Sequence, residues 1–158
     1  MRRRAVQAAY VGVVMMGLIL GITVAYGDEP LPPVPPDYNN HKMPAGWWTD
    51  KKAIEAGKKI YMEGMPDEEG KIQKCAKCHG EDGNPKLRGA RDFRAESKIN
   101  RFSDSYFFWR VSEGVPKTKM KGWKERLTDE QRWQVITYVH TFSHGGKPEE
   151  HKHAEIGK

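Results

Sequence analysis

The sequence predicts an all-α domain, and three observations predict it. Apolar residues recur at helical spacing in separate segments: Ala53, Gly57, Ile60 and Tyr61; Tyr106, Phe107, Phe108, Trp109 and Val111; and Val135, Tyr138, Val139 and Phe142. Each segment follows a residue able to cap a helix, namely Thr49 or Asp50, then Ser103, then Thr128. No run of β-branched residues with strand character surrounds the chain's two cysteines, Cys75 and Cys78.

Taken in order, the chain opens with Arg2, Arg3 and Arg4, then an apolar run over residues 5–25. A positive start, an apolar segment and the small residues of Ala25-Tyr26-Gly27 read as an export signal. A run of this length also suffices to span a bilayer, since about 20 apolar residues are needed. Residues 1–27 are therefore either a cleaved signal peptide or a retained N-terminal membrane anchor. Both put the rest of the chain on the outer side of the membrane, because positive charge stays inside. Residues 28–48 hold Pro30, Pro32, Pro33, Pro35, Pro36 and Pro44 and predict an extended spacer without a core of its own. Its end, Trp47-Trp48, is expected to pack on the domain that follows.

The domain is expected over residues 49–143. A first helix runs to about residue 63, and Gly57 in its middle costs about 1 kcal/mol against alanine, which close approach of another helix would explain. Met65-Pro66 and Gly70 make residues 64–74 a loop, and Gly80, Gly83, Pro85 and Gly89 make an irregular stretch. Ser103 opens a helix that Gly114 ends. Its aromatic run suits either an ordinary core or a wall against a large flat ligand. A loop containing Met120 leads to Thr128-Asp129-Glu130-Gln131, a capping box, and a last helix to about residue 142. Residues 144–158, rich in Gly, His, Lys and Glu, predict a disordered tail. His140 and His144 are expected at the surface, and His144, His151 and His153 as solvated or weakly metal-binding residues.

Charge excludes some functions. The chain has 27 Lys+Arg against 21 Asp+Glu, and residues 1–27 hold three of the positives and no acid, leaving +3. No long basic run interleaved with aromatics points to nucleic acid.

The chemistry is concentrated in Cys75-Ala76-Lys77-Cys78-His79. C-x-x-C-H is the attachment signature of a c-type haem. Each thiol can add across a vinyl group of the porphyrin, and the adjacent imidazole is held under the iron as its proximal ligand. A thioredoxin-like pair would want a βαβ setting, and structural zinc would want a second Cys or His pair nearby. Neither is present in the sequence.

With these residues in place, 50–143 resembles class I cytochrome c. Ala53-x-x-x-Gly57-x-x-x-Tyr61 is similar to that family's N-terminal helix, with Tyr138 where the C-terminal helix supplies an aromatic. Gly83-Asn84-Pro85-Lys86-Leu87-Arg88-Gly89 is similar to its G-x-P-x-L-x-G segment, and Gly114-Val115-Pro116-Lys117-Thr118-Lys119-Met120 to its distal-methionine loop. The resemblance departs at residues 62–74, which read as an insertion, and at Lys121, where many relatives have proline. It implies N- and C-terminal helices crossing around one covalently bound haem c. It implies thioethers on Cys75 and Cys78, His79 as proximal and Met120 as distal ligand, and the Pro85 carbonyl on the other ring nitrogen of His79. Met43, Met62 and Met65 are the rival sulfurs, with Met65 the first substitute.

Six-coordinate iron leaves no open position for substrate, so the resemblance implies an electron carrier rather than an enzyme. The expected carrier is tethered or soluble, periplasmic or on the outer face of the membrane. The other role is a fixed haem subunit of a larger membrane oxidoreductase. Lys74, Lys77, Lys86, Arg88, Lys117, Lys119, Lys121 and Lys124 flank the ligand segments against Glu81, Asp82 and Glu125. That bias predicts redox partners with acidic docking surfaces.

Overall fold

The computed structural model describes residues 30–151. The signal or anchor expected over 1–27 lies outside the described residues, among which no helix is long and apolar enough to cross a membrane.

The three expected helices form where capping chemistry starts them. In α1, Lys51–Glu63, the Asp50 carboxylate accepts from the amides of Lys52 at 2.7 Å and Ala53 at 3.2 Å. Two short helices follow, α2 at Ala76–His79 and α3 at Glu96–Ile99. Ser103 caps α4, Asp104–Glu113, by accepting from the Tyr106 amide at 3.1 Å. Thr128 and Gln131 close the capping box of α5, Asp129–Ser143, with bonds of 3.2 and 2.9 Å.

α1 packs against α5, and Gly57 is the crossing point. A Cβ there would lie 1.9 Å from the Gln134 carbonyl oxygen, so only glycine lets the two backbones approach this closely. Below the crossing Tyr61 is fully buried, with its ring edge-on to Tyr138 at 5.3 Å. Its hydroxyl donates to the Gly80 carbonyl at 2.7 Å, which ties α1 to the end of α2. In α4, Tyr106, Phe107 and Phe108 are buried, and Phe108 lies 4.4 Å from Trp133 of α5 and 4.5 Å from His41.

Three parts differ from expectation. The segment read as a spacer over 28–48 joins the compact unit from Pro33 onward. Pro36–Tyr38 forms a 3-10 turn, and the Tyr38 hydroxyl donates to Glu113. Ser105 donates to the carbonyls of Asn39 and His41 at 3.0 and 2.9 Å, and the Met43 amide donates to Asp104 at 2.8 Å. Burial, then the bond to Glu113, pushes the Tyr38 phenol up to about 12. The prolines stiffen the segment, but its polar backbone and Met43 find partners on α4 and α5.

The loop over 64–74 contains a minimal hairpin, β1 at Met65–Pro66 and β2 at Ile72–Gln73, paired antiparallel with Met65 opposite Gln73. Asp67 closes it by accepting from the amides of Glu69 and Lys71 and from the Gln73 side chain, at 3.1, 2.8 and 2.8 Å. The Gln73 bond is the main reason its carboxyl titrates below the usual range. The tail also departs from its reading: 144–151 folds back on α5, and His140, expected at the surface, is fully buried. Residues 152–158, with His153, lie outside the described residues.

Candidate functional site

Residues 75–79 wind into one helical turn. The amides of Cys78 and His79 donate to the Cys75 carbonyl at 3.1 and 3.0 Å. Positions three apart share a face of such a turn, which sets the two cysteines side by side. The two cysteines are not joined in a disulfide, which leaves both sulfurs for thioether bonds. Cys75 packs against a cluster formed by Tyr61, Ala76, Trp123, Leu127, Val135 and Val139, and burial pushes its thiol up to about 12.

His79 follows at once and is buried. Its Nδ1 faces the Arg91 carbonyl oxygen at 3.1 Å, so Nδ1 is assigned the hydrogen and Nε2 the lone pair. Burial holds the imidazole below its ordinary range, keeping it neutral, which is the ligand form. Phe93 stacks on it at 4.3 Å. The chain then turns at Gly80, whose φ of 77° is left-handed and whose Cβ would meet the Asn84 carbonyl oxygen at 2.0 Å.

The partner of Nδ1 corrects one expectation, since it is the carbonyl of Arg91 rather than of Pro85. The amides of Lys86 and Leu87 both turn onto the Cys78 carbonyl, at 2.9 and 3.1 Å, and fix Pro85 beside the turn's end. The chain then returns, with the Phe93 amide on the Gly83 carbonyl at 3.1 Å, and this return lays residue 91 over the imidazole. A backbone carbonyl has no residue type, so no sequence signal marks Arg91.

Met120 sits half-buried on a different loop. Gly114 bridges to Lys121 across it, the Val115 amide donates to the Met120 carbonyl at 3.1 Å, and the Met120 amide donates to the Thr118 hydroxyl at 3.1 Å. The Trp123 amide then bonds the carbonyls of Val111 and Ser112, each at 3.0 Å, which anchors the loop to α4. Met65, the rival sulfur, is half-buried against the same cluster as Cys75. The structure thus brings Cys75, Cys78 and His79 onto one turn, places Pro85 beside it, and carries Met120 on a separately braced loop.

The donor set fits a covalently attached haem. Two cysteines share one face of a turn, and a buried neutral imidazole keeps Nε2 for a metal. Gly80 then lets the chain turn tightly back beside Asn84.

Residues 52–139, more than half of the chain, match the family described as cytochrome c oxidase, cbb3-type, subunit III. Among solved structures, cytochrome cL from the marine methylotrophic bacterium Methylophaga aminisulfidivorans MPT is similar at 18% identity, with a TM-score of 0.49 over 74% of this chain and 71% of that one. No curated protein matches.

Proposed function

The chain belongs to the cbb3-type cytochrome c oxidase subunit III family, a family of class I mono-haem cytochrome c domains, and from that premise we propose a single-haem electron carrier on the outer side of a membrane, with His79 and Met120 as axial ligands. Its fold is the all-α cytochrome c fold, its cofactor is one covalently bound haem c, and its chemistry is haem-based electron transfer. When bound, the iron supplies a one-electron change between ferric and ferrous states.

The observation that carries the reading is the single turn holding Cys75, Cys78 and His79, with Nδ1 committed to a carbonyl. Cys75 and Cys78 hold the macrocycle. His79 presents Nε2, and its bond to Arg91 fixes the ring and raises its basicity as a ligand. Met120 offers a soft thioether from the braced loop, which favours the ferrous state and raises the potential. Held by both His79 and Met120, the iron would keep no open position for substrate.

A second reading is a fixed haem subunit of a membrane oxidoreductase. Two observations favour it: the matched family is described by an oxidase subunit, and residues from Pro33 onward lie docked on the domain, which shortens any tether from the leader. Retention of residues 1–27 and co-purification with membrane proteins separate the two readings.

Covalent attachment is tested on a denaturing gel. Haem-dependent peroxidase stain should persist on the denatured chain, and the double variant Cys75→Ala, Cys78→Ala should lose it. Stain surviving in the double variant removes the assignment of these thiols.

A further inference from the structure

None of the three histidines that converge at the end of α5 belongs to the turn at 75–79 or to the Met120 loop. His140 and His144 stand four apart on α5, so they share a face, and the tail returns His151 to meet them. Their ligand nitrogens all lie within 4.8 Å of one another. The Nε2 atoms of His140 and His144 are 3.2 Å apart, and His140 Nε2 also contacts His151 Nδ1. We propose that His140, His144 and His151 form a second metal site, distinct from the haem iron, that takes a divalent first-row cation of the zinc type and clamps the tail to α5.

The proton count argues for a shared cation. A ring nitrogen offers one hydrogen or one lone pair, never both. His144 Nδ1 points at the Glu149 carboxylate at 3.1 Å, which assigns the hydrogen to Nδ1 and leaves a lone pair on Nε2. His140 Nε2 then faces that lone pair and a nitrogen of His151 at once. A hydrogen on His140 Nε2 serves only one of them well, whereas a cation between the rings accepts all three lone pairs. The spacing of His140 and His144 agrees, since their Nε2 atoms are 3.2 Å apart and zinc–nitrogen bonds of about 2.0–2.1 Å in a tetrahedron put ligand nitrogens about 3.3 Å apart; His151 would move back slightly to admit the ion.

The surroundings support each ligand. Glu149 behind His144 is the carboxylate that orients many metal-bound imidazoles and partly offsets the cation's charge. Trp48 walls the site, with ring centroids 4.5 Å from His140 and 5.5 Å from His151. The return of the tail is held independently, since the Thr49 hydroxyl donates to Glu150 at 3.0 Å. Three imidazoles are a borderline donor set that suits zinc or copper rather than calcium or magnesium. A fourth position remains for water.

The test uses the full chain with its haem attached, so that Cys75, Cys78 and His79 cannot take the probe. After chelation and exchange, Zn2+ is titrated by calorimetry, and the bound metal is read by X-ray absorption at the zinc edge. One Zn2+ per haem, three imidazole nitrogens in the shell and a raised thermal midpoint are expected. His144→Ala and His151→Ala lie at the edge of the fold and should each remove the stoichiometric binding while leaving the haem spectrum unchanged. Glu149→Gln should weaken it about tenfold. His153→Ala should change nothing. Absence of saturable binding, a zinc shell without imidazole, or binding that survives the His144→Ala, His151→Ala pair overturns the site without touching the haem assignment.

Discussion

The two proposed iron ligands differ in how tightly their neighbours constrain them. His79 is held by a backbone bond through Nδ1, a stacked Phe93 and the turn at Gly80. Met120 is held by its loop, through the Gly114–Lys121 bridge and the Thr118 hydroxyl, while its side chain is half-buried. Substitution at Met120 should therefore alter the iron's ligation and leave the fold intact. Met120→Ala should abolish the sulfur-to-iron charge-transfer band at the red end of the visible spectrum and lower the potential, whereas Met65→Ala should keep the band. The reverse result in oxidised-state spectra would move the ligand into the hairpin at Met65–Pro66. Residue type made Cys75, Cys78, His79 and Met120 legible, because sulfur and imidazole carry chemistry wherever they fold. It could not expose Arg91, which contributes only a carbonyl, or the burial of His140, which depends on where the tail goes.

Among the elements, α1 and α5 carry the architecture, and their closest approach depends on one missing methyl group. Gly57→Ala would gain about 1 kcal/mol in helix propensity. The new Cβ would also stand 1.9 Å from the Gln134 carbonyl oxygen and 2.4 Å from its carbon, both backbone atoms that a rotamer change cannot move. Overpacking of this kind costs about 1–3 kcal/mol, so the clash should outweigh the propensity. The thermal midpoint of the haem-bound protein should fall by several degrees, while the exposed Lys58→Ala should barely shift it. An unchanged or raised midpoint would mean that the helices cross elsewhere. All three long helices were legible because apolar period and capping residues agree, as with Asp50, Ser103 and Thr128. The hairpin was not, since strands of two residues have no period to read. Neither was the docking of residues 33–48, where prolines signal extension equally well on a surface or in water.

For the molecule as a whole, the charge that matters is a local excess rather than the net sum. Outside the leader the chain carries only three positives more than negatives, yet lysines crowd the segments around the turn at 75–79 and the Met120 loop. Lys74, Lys77, Lys86, Arg88, Lys117, Lys119, Lys121 and Lys124 are all exposed. Two are partly neutralised, Lys86 by Glu81 at 3.7 Å and Lys124 by Glu113 at 3.6 Å, and exposed pairs of this kind are worth little. The rest face solvent on the two segments that carry the ligands, so a partner with an acidic surface would be steered toward the haem. Exposed charges are screened over about 8 Å at physiological ionic strength, so the second-order electron-transfer rate should fall steeply as salt rises. Lys77→Glu, Lys119→Glu and Lys121→Glu should each slow association while leaving the haem spectrum unchanged. Lys147→Glu, exposed in the tail, should do much less. Stopped-flow mixing with the native acceptor, or with a small anionic oxidant as a cruder probe, measures the rates. A rate independent of salt, or equal effects from tail and ligand-loop reversals, would argue for apolar or permanent docking. The fixed-subunit reading would then be the better account of the same lysines, as a solvated surface beside a partner held by other contacts.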